Sequence, residues 1–475
     1  MNPLPTTIEK PRFNLWASFI IIALICLILF LDNILAYVAL SGIALIGSYL
    51  LITRFTIPHL HLVYLLVITS ILAPPIQIVS SLPNIRIDEF IIYATFPLVL
   101  FFNSKNLELT GYKKSFTKIY SFFILCAIVS LTYGYTSLKV PVSTRDFFEI
   151  VTIIKYLLLF LTISSFNLEI EDVTKILYVT LFTIVISGLF GLLQYFGIFG
   201  LDHITAPYYL DDRIHIVSLR LTATYKNPNT YAAILVLGHL IALGLFFFEK
   251  RRNLRPLLLL CIGLLAVFML FAGSRTMLLA YIISTVLLSY VGAIRLGYNM
   301  SRVITLFAFI GIGFIIAISF ISYEILNRLD SGVDFLSDTS LAMRFLAWYL
   351  NILLYIQSPW VGWGPAKDIH TTIVDNEFVL ILRRYGIIGF ISFLGFYIHP
   401  LIVSVKQLRI DDKIPLLLSI IVFSIIITFL IANLTNTLFH DNQVMDFWFK
   451  FLALFYTTIS KNTNSEVSKN SLSSK

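Results

Sequence analysis

Apolar runs of membrane-spanning length recur along this 475-residue chain, and no other feature limits its fold so tightly. The clearest is FVLILRRYGIIGFISFLGFYI at 378–398. A bilayer-spanning helix needs roughly 17 to 25 mainly apolar residues, so such runs read as spans. Lipid offers no hydrogen-bond partners, so each span must satisfy its own backbone, and the chain must fold as a helical bundle. That rule places spans near 15–31, 34–52, 58–73, 87–102, 116–134, 147–166, 176–199, 228–248, 255–272, 276–292, 303–322, 377–399, 414–434 and 446–460. The expected fold is an all-α polytopic membrane protein with about 12 to 14 helices. A Pro-Pro segment between the third and fourth runs invites a return into the bilayer instead of a full crossing. With 58% hydrophobic and 13% charged residues, a soluble fold is excluded.

Charge gives the orientation. Lys and Arg collect in short cytoplasmic loops. With the N-terminus inside, the inner loops carry Lys10 and Arg12, then Arg54, then Lys105, Lys113, Lys114 and Lys118. An acidic exception follows at 169–175. Inner loops then carry Lys250, Arg251, Arg252 and Arg255, then Arg295 and Arg302, then Lys406, Arg409 and Lys413. Both termini are expected in the cytoplasm, and the longer loops, 136–146, 201–227 and 322–376, outside. The formal charge of +8 is spread over these loops, which argues against a nucleic-acid partner. Cys26, Cys126 and Cys261 fall inside apolar runs without disulfide or metal spacing. The first run lacks a small-residue cleavage site and is long enough to remain a span. The chain divides into N-terminal helices at 1–200, a second membrane region at 201–460 and a polar tail at 461–475 whose composition predicts disorder.

The stretch at 344–389 gathers the most chemistry. An amphipathic helix at 341–357 carries Leu341, Phe345, Trp348, Tyr349, Ile352 and Ile356 at helical spacing, with Arg344 on the stripe's border. It breaks at Ser358-Pro359 into the turn PWVGWGP, which includes Trp363. His370, Asp375, Asn376 and Glu377 follow, directly above a span, and are the candidate acids and bases. Asp375 and Glu377 abut the membrane, where an unpaired charge is costly. His370 fits an exposed loop histidine equally well.

Arginines at the outer face run against the positive-inside bias. Arg220, Arg275, Arg344 and the pair Arg383-Arg384 all lie there. Each alone fits an anchor reaching for headgroups. Together, around one large loop, they suit a diphosphate, because a guanidinium forks onto two oxygens. In RLTATYKNPNTYAAIL, Asn227 and Asn229 fit either substrate contacts or helix caps. No closed metal site and no nucleotide-binding glycine turn is present.

Three blocks resemble the O-antigen ligase and polymerase superfamily of bacterial membrane glycan transferases: RLTATYKNPNTYAAIL at 220–235, GSRTMLLAYIIS at 273–284, and the loop from Arg344 through PWVGWGP to DNEFVLILRRYGIIGF. The ligase signature is His followed by Asn, Ser or Gln, nine residues, then Gly-x-x-Gly; Asn376, Gly386 and Gly389 keep that frame. Asp375 occupies the histidine position, which points to the polymerase branch. The resemblance implies a GT-C-like bundle in a bacterial plasma membrane with one large external loop, its site on the outer face. It implies transfer of a glycan from a polyprenyl diphosphate donor to a sugar hydroxyl on a second lipid-linked glycan, without metal or cofactor and with inversion. Arg220, Arg275 and Arg344 would hold the diphosphate. Asp375 would accept the proton, with Glu377 or His370 as substitutes, and Asn227, Asn229, Asn376 and Trp363 would position substrate. Membrane lipids and a chain-length regulator are the implied partners. Ligation of finished glycan to a lipid core or protein is the alternative within the family. A lipid-linked glycan flippase is the alternative from another class, disfavoured by the lack of an internal repeat and by few mid-span charges, chiefly Lys155, Glu149 and Lys450.

Overall fold

The computed structural model describes residues 59–102 (except 74 and 77–84), 109, 111–202 (except 167), 220–296, 307–308, 311, 339–410 (except 371–373) and 412–473. The expected spans at 15–31 and 34–52 lie outside these residues, as do nearly all of 303–322 and much of the loops at 201–227 and 322–376.

Twelve helices follow in order among the described residues. They are α1 (His59–Leu72), α2 (Ile87–Phe102), α3 (Gly111–Thr136), α4 (Thr144–Ser164), α5 (Ile170–Tyr195) and α6 (Pro228–Phe248). After them come α7 (Leu254–Ala272), α8 (Arg275–Leu296), α9 (Thr339–Gln357), α10 (Glu377–Gln407), α11 (Lys413–Ala432) and α12 (Asn442–Ser473). Eight of these, α3 to α8 with α10 and α11, are long and apolar enough to cross a membrane. The protein is thus a polytopic all-α membrane protein. A two-residue antiparallel ladder joins α1 to α2, β1 (Pro75–Ile76) pairing with β2 (Ile85–Arg86).

The expected boundaries hold closely where they can be compared, because apolar runs end where charge or proline begins. Two differences are informative. At 1.5 Å per residue, α1 and α2 are only about 21 and 24 Å long, short of a hydrocarbon core of about 30 Å. They meet at the ladder against the middle of α4, where Lys155 takes Glu89 of α2. The ladder turns the chain back on itself between the two short helices. The second difference is the tail: α12 runs through it to Ser473, although its composition predicts disorder. Residues 461–473 contain neither Gly nor Pro, so nothing in them stops a helix already started.

Helix α6 is apolar around its whole circumference and is the most enclosed span. It packs against α5, α7, α8 and α11, while α12 packs along α4 and α11. Helix α9 touches α10 and turns Met343, Phe345, Tyr349 and Ile356 outward, so its apolar stripe faces away from the bundle.

The turn after α9 is built into α10. Gly386 sits at φ 63°, ψ −171° and interrupts the helix. Into the gap, Trp363 N donates to the Arg383 carbonyl (3.0 Å), Gly364 N donates to that of Arg384 (2.9 Å), and Ile387 N donates to that of Pro359 (2.8 Å). A Cβ on Gly386 would lie 2.4 Å from the Trp360 carbonyl, and one on Gly362 would lie 2.4 Å from that of Arg384. The glycines of PWVGWGP and of the Gly-x-x-Gly frame therefore answer each other across one backbone contact.

Candidate functional site

Helices α6 and α8 begin, and α7 and α11 end, at one end of the bundle. There a polar cavity of about 140 Å³ is lined by Arg220, Asn229, the residues 273–276, Arg344, Thr435 and Asn436. Three guanidinium-bearing residues far apart in sequence thus share one cavity, and among the described residues no carboxylate lines it. Local structure explains why. Gly273, at φ 58°, ends α7 in the left-handed conformation and lets the chain turn at once into α8, so Arg275 opens a helix. Asn227 caps α6 by accepting from Thr230 N (2.8 Å), which sets Asn229 in the first turn. Arg220 Nε donates to the Ala272 carbonyl (2.9 Å) and Nη2 donates to Asn229 Oδ1 (2.9 Å), tying the 220–227 loop to the α7 terminus. The N-termini of α6 and α8 add their own N–H groups and dipoles on the same side, an arrangement that favours anions.

Arg344 reaches the cavity from α9 and pairs with Asp375 (Nε–Oδ2 3.2 Å). Asp375, read from sequence as the base, is therefore the counter-ion of a cavity arginine. The other candidates divide. Asn376 caps α10 by accepting from Val379 N (3.1 Å). Trp363 donates Nε1 to the Leu354 carbonyl (2.8 Å), locking α9 to the turn, and meets the His370 ring edge-on at 5.3 Å. Burial, with the nearby Arg383 charge, lowers the His370 pKa, so its ring stays neutral. Neither Trp363 nor His370 lines the cavity.

Glu377 is fully buried and belongs to a second group. It accepts from Phe439 N (3.0 Å) and lies 2.6 Å from His440 Nδ1. His440 Nε2 in turn lies 3.3 Å from Glu149 Oε1. Glu149 also takes Arg384 (2.8 Å), Lys367 (3.0 Å) and the Tyr385 hydroxyl. Burial pulls the His440 pKa down, and Arg384 opposes its charge, but the Glu377 and Glu149 carboxylates outweigh both and leave it above the ordinary imidazole value.

Sequence reasoning missed Ser274, Thr276, Thr435, Asn436 and His440. The last three lie in NLTNTLFHDN at 433–442, a short break between α11 and α12. Its concentration of Asn, Thr, His and Asp on the same side as the arginines was the available signal. Sequence also understated the charge inside the bundle. Lys155 lies between Glu89 (2.7 Å) and Asp446 (3.0 Å), with Arg86–Asp88 (3.1 Å) and Lys450 beside them, all buried. Among the described residues no set of three or more His, Cys, Asp or Glu is placed to hold a metal ion. No protein-family model matches the chain, and no curated protein is significantly similar to it.

Proposed function

We propose that this protein is a membrane glycan polymerase. It transfers a glycan from a polyprenyl diphosphate donor to a sugar hydroxyl of a second lipid-linked glycan, in the synthesis of an O-antigen, capsule or exopolysaccharide. The observation that carries this reading is the convergence of Arg220, Arg275 and Arg344 on one small polar cavity. A diphosphate esterified at both ends bears two negative charges. Three guanidinium groups brought to one cavity supply the forked donors that grip its phosphate oxygens. As the glycosidic bond breaks, further charge gathers on the departing diphosphate, and cations already fixed in place lower that barrier. The outward apolar stripe of α9, on the helix that carries Arg344, suits the prenyl tail. The basic loops at the opposite end of the bundle support a cavity on the outer face of a bacterial plasma membrane, with both termini inside.

Transfer of the finished glycan to a lipid core or protein would use the same donor cavity and differs only in its acceptor. The buried ions around Lys155 favour a second reading, export of the lipid-linked glycan, because charges inside a membrane bundle often mark transport paths. Reconstitution separates them. Purified protein given undecaprenyl diphosphate-linked repeats should build a ladder of longer glycans, and Arg220→Ala or Arg275→Ala should leave single repeats. Movement of labelled donor across liposomes without any ladder would replace the polymerase reading with the transport one.

A further inference from the structure

We infer that His440 is the group that takes the proton from the attacking sugar hydroxyl, with Glu377 as its positioning residue. This rests on the glycan-transfer reading above. Asp375 Oδ2 is taken up by Arg344 Nε at 3.2 Å, so this carboxylate faces a cavity arginine instead of an incoming hydroxyl. His440 does not itself line the cavity, but two connections tie it to the cavity wall. It belongs to the break at 433–442 that carries Thr435 and Asn436 into the cavity wall. It also bonds Glu377, two residues beyond Asp375 and joined at its backbone N–H to the Asn433 carbonyl (2.9 Å).

The geometry assigns the two ring nitrogens different tasks. At 2.6 Å, Glu377 fixes the Nδ1 proton, the relation by which a carboxylate sets an imidazole's tautomer and orientation. Nε2 meets Glu149 at a looser 3.3 Å, and Glu149 keeps Arg384, Lys367 and Tyr385 if that contact is given up. An acceptor hydroxyl can therefore take the place of Glu149 at Nε2. Its oxygen forms the new bond to the anomeric carbon, the bond from that carbon to the phosphate oxygen breaks with its electron pair going to the diphosphate, and the hydroxyl proton passes to Nε2. The side chains of His440 and Lys367 are 15% and 28% exposed, so the group is open to an acceptor from that side.

The groups facing His440 are Glu377, Arg384 and Tyr385 from α10, Glu149 from α4 and Lys367 from the turn. The test measures transfer rate against pH beside binding of undecaprenyl diphosphate. In the wild type the rate should rise with pH through a pKa above that of free imidazole. His440→Gln should lose about 10² to 10⁴ of the rate while binding is unchanged, and added imidazole should restore part of it to His440→Gly. Glu377→Gln should move the acid limb to lower pH. A His440→Gln protein at full rate, or an acid limb removed by Asp375→Asn and not by His440→Gln, overturns the inference. If His440→Gln does not fold, the Glu377→Gln profile decides alone, and an unmoved limb overturns it. Failure of the wild type to bind the prenyl diphosphate would instead remove the reading on which this one rests.

Discussion

Two charged regions of this bundle are built in opposite ways. Around Lys155, three cations and three carboxylates are fully enclosed and answer one another: Arg86, Lys155 and Lys450 against Asp88, Glu89 and Asp446. In the end cavity, three arginines line one small space among the described residues, and Asp375 pairs with Arg344. A balanced buried set is a device for holding helices in register, since removing either sign leaves an orphan charge. A cationic concavity open at one end is a device for receiving an anion. The first should matter to stability and the second to activity.

Mutations of the cavity should give the largest effects. Arg220→Ala and Arg275→Ala should each lower glycan transfer by about 10² to 10³, the usual cost of removing one fixed donor from a developing anion. Thermal melting of Arg275→Ala should be little changed, while Arg220→Ala should lose about 1 kcal/mol with its hydrogen bonds to Ala272 and Asn229. Arg344→Lys should fall almost as far, because an ammonium cannot fork onto two oxygens. A melting transition that fell with the rate would place the arginines with the structural set and erase the contrast.

Lys155→Met should do the reverse. It leaves Glu89 and Asp446 facing each other in the interior and should cost about 3 to 5 kcal/mol, read as lower detergent resistance and melting temperature. A stable Lys155→Met protein that transfers nothing would instead make the buried ions part of the activity.

Gly386→Ala sharpens the comparison at the joint where the turn after α9 enters α10. Its backbone angles suit only glycine, and the added carbon meets the Trp360 carbonyl, so a loss on the order of 3 kcal/mol is expected in melting experiments. Activity should fall with it, since the same joint fixes α9 and Arg344.

The smallest effect is a pH dependence of stability. The folded His440 pKa lies above the ordinary 6.5, so its stabilising contribution is complete below that pH and disappears as pH rises through the folded value. Melting curves between acid and mildly alkaline pH should show this loss, and His440→Gln should flatten it.

The spans were legible because apolar length is a one-dimensional property, and α6 and α10 begin where the runs begin. The meeting of Arg220, Arg275 and Arg344 was legible only as chemistry: arginines in loops where the charge pattern expects none need a reason. What composition could not supply was partnership. Asp375 and Glu377 look alike in sequence, yet one faces an arginine and the other a histidine 63 residues away. Asp88 and Glu89 look like ordinary helix-start acids until the α1–α2 pair carries them to Lys155. Asn227 reads as either a contact or a cap and Asn376 as a contact, and both cap helices.

The most direct measurement is the affinity of the purified protein for undecaprenyl diphosphate, free of any sugar, across a range of salt. The wild type should bind it in preference to the uncharged prenyl alcohol and weaken as salt rises. Arg220→Ala, Arg275→Ala and Arg344→Ala should each bind more weakly while Lys155→Met, where folded, binds normally. Equal affinity in the three arginine variants and the wild type would contradict the account.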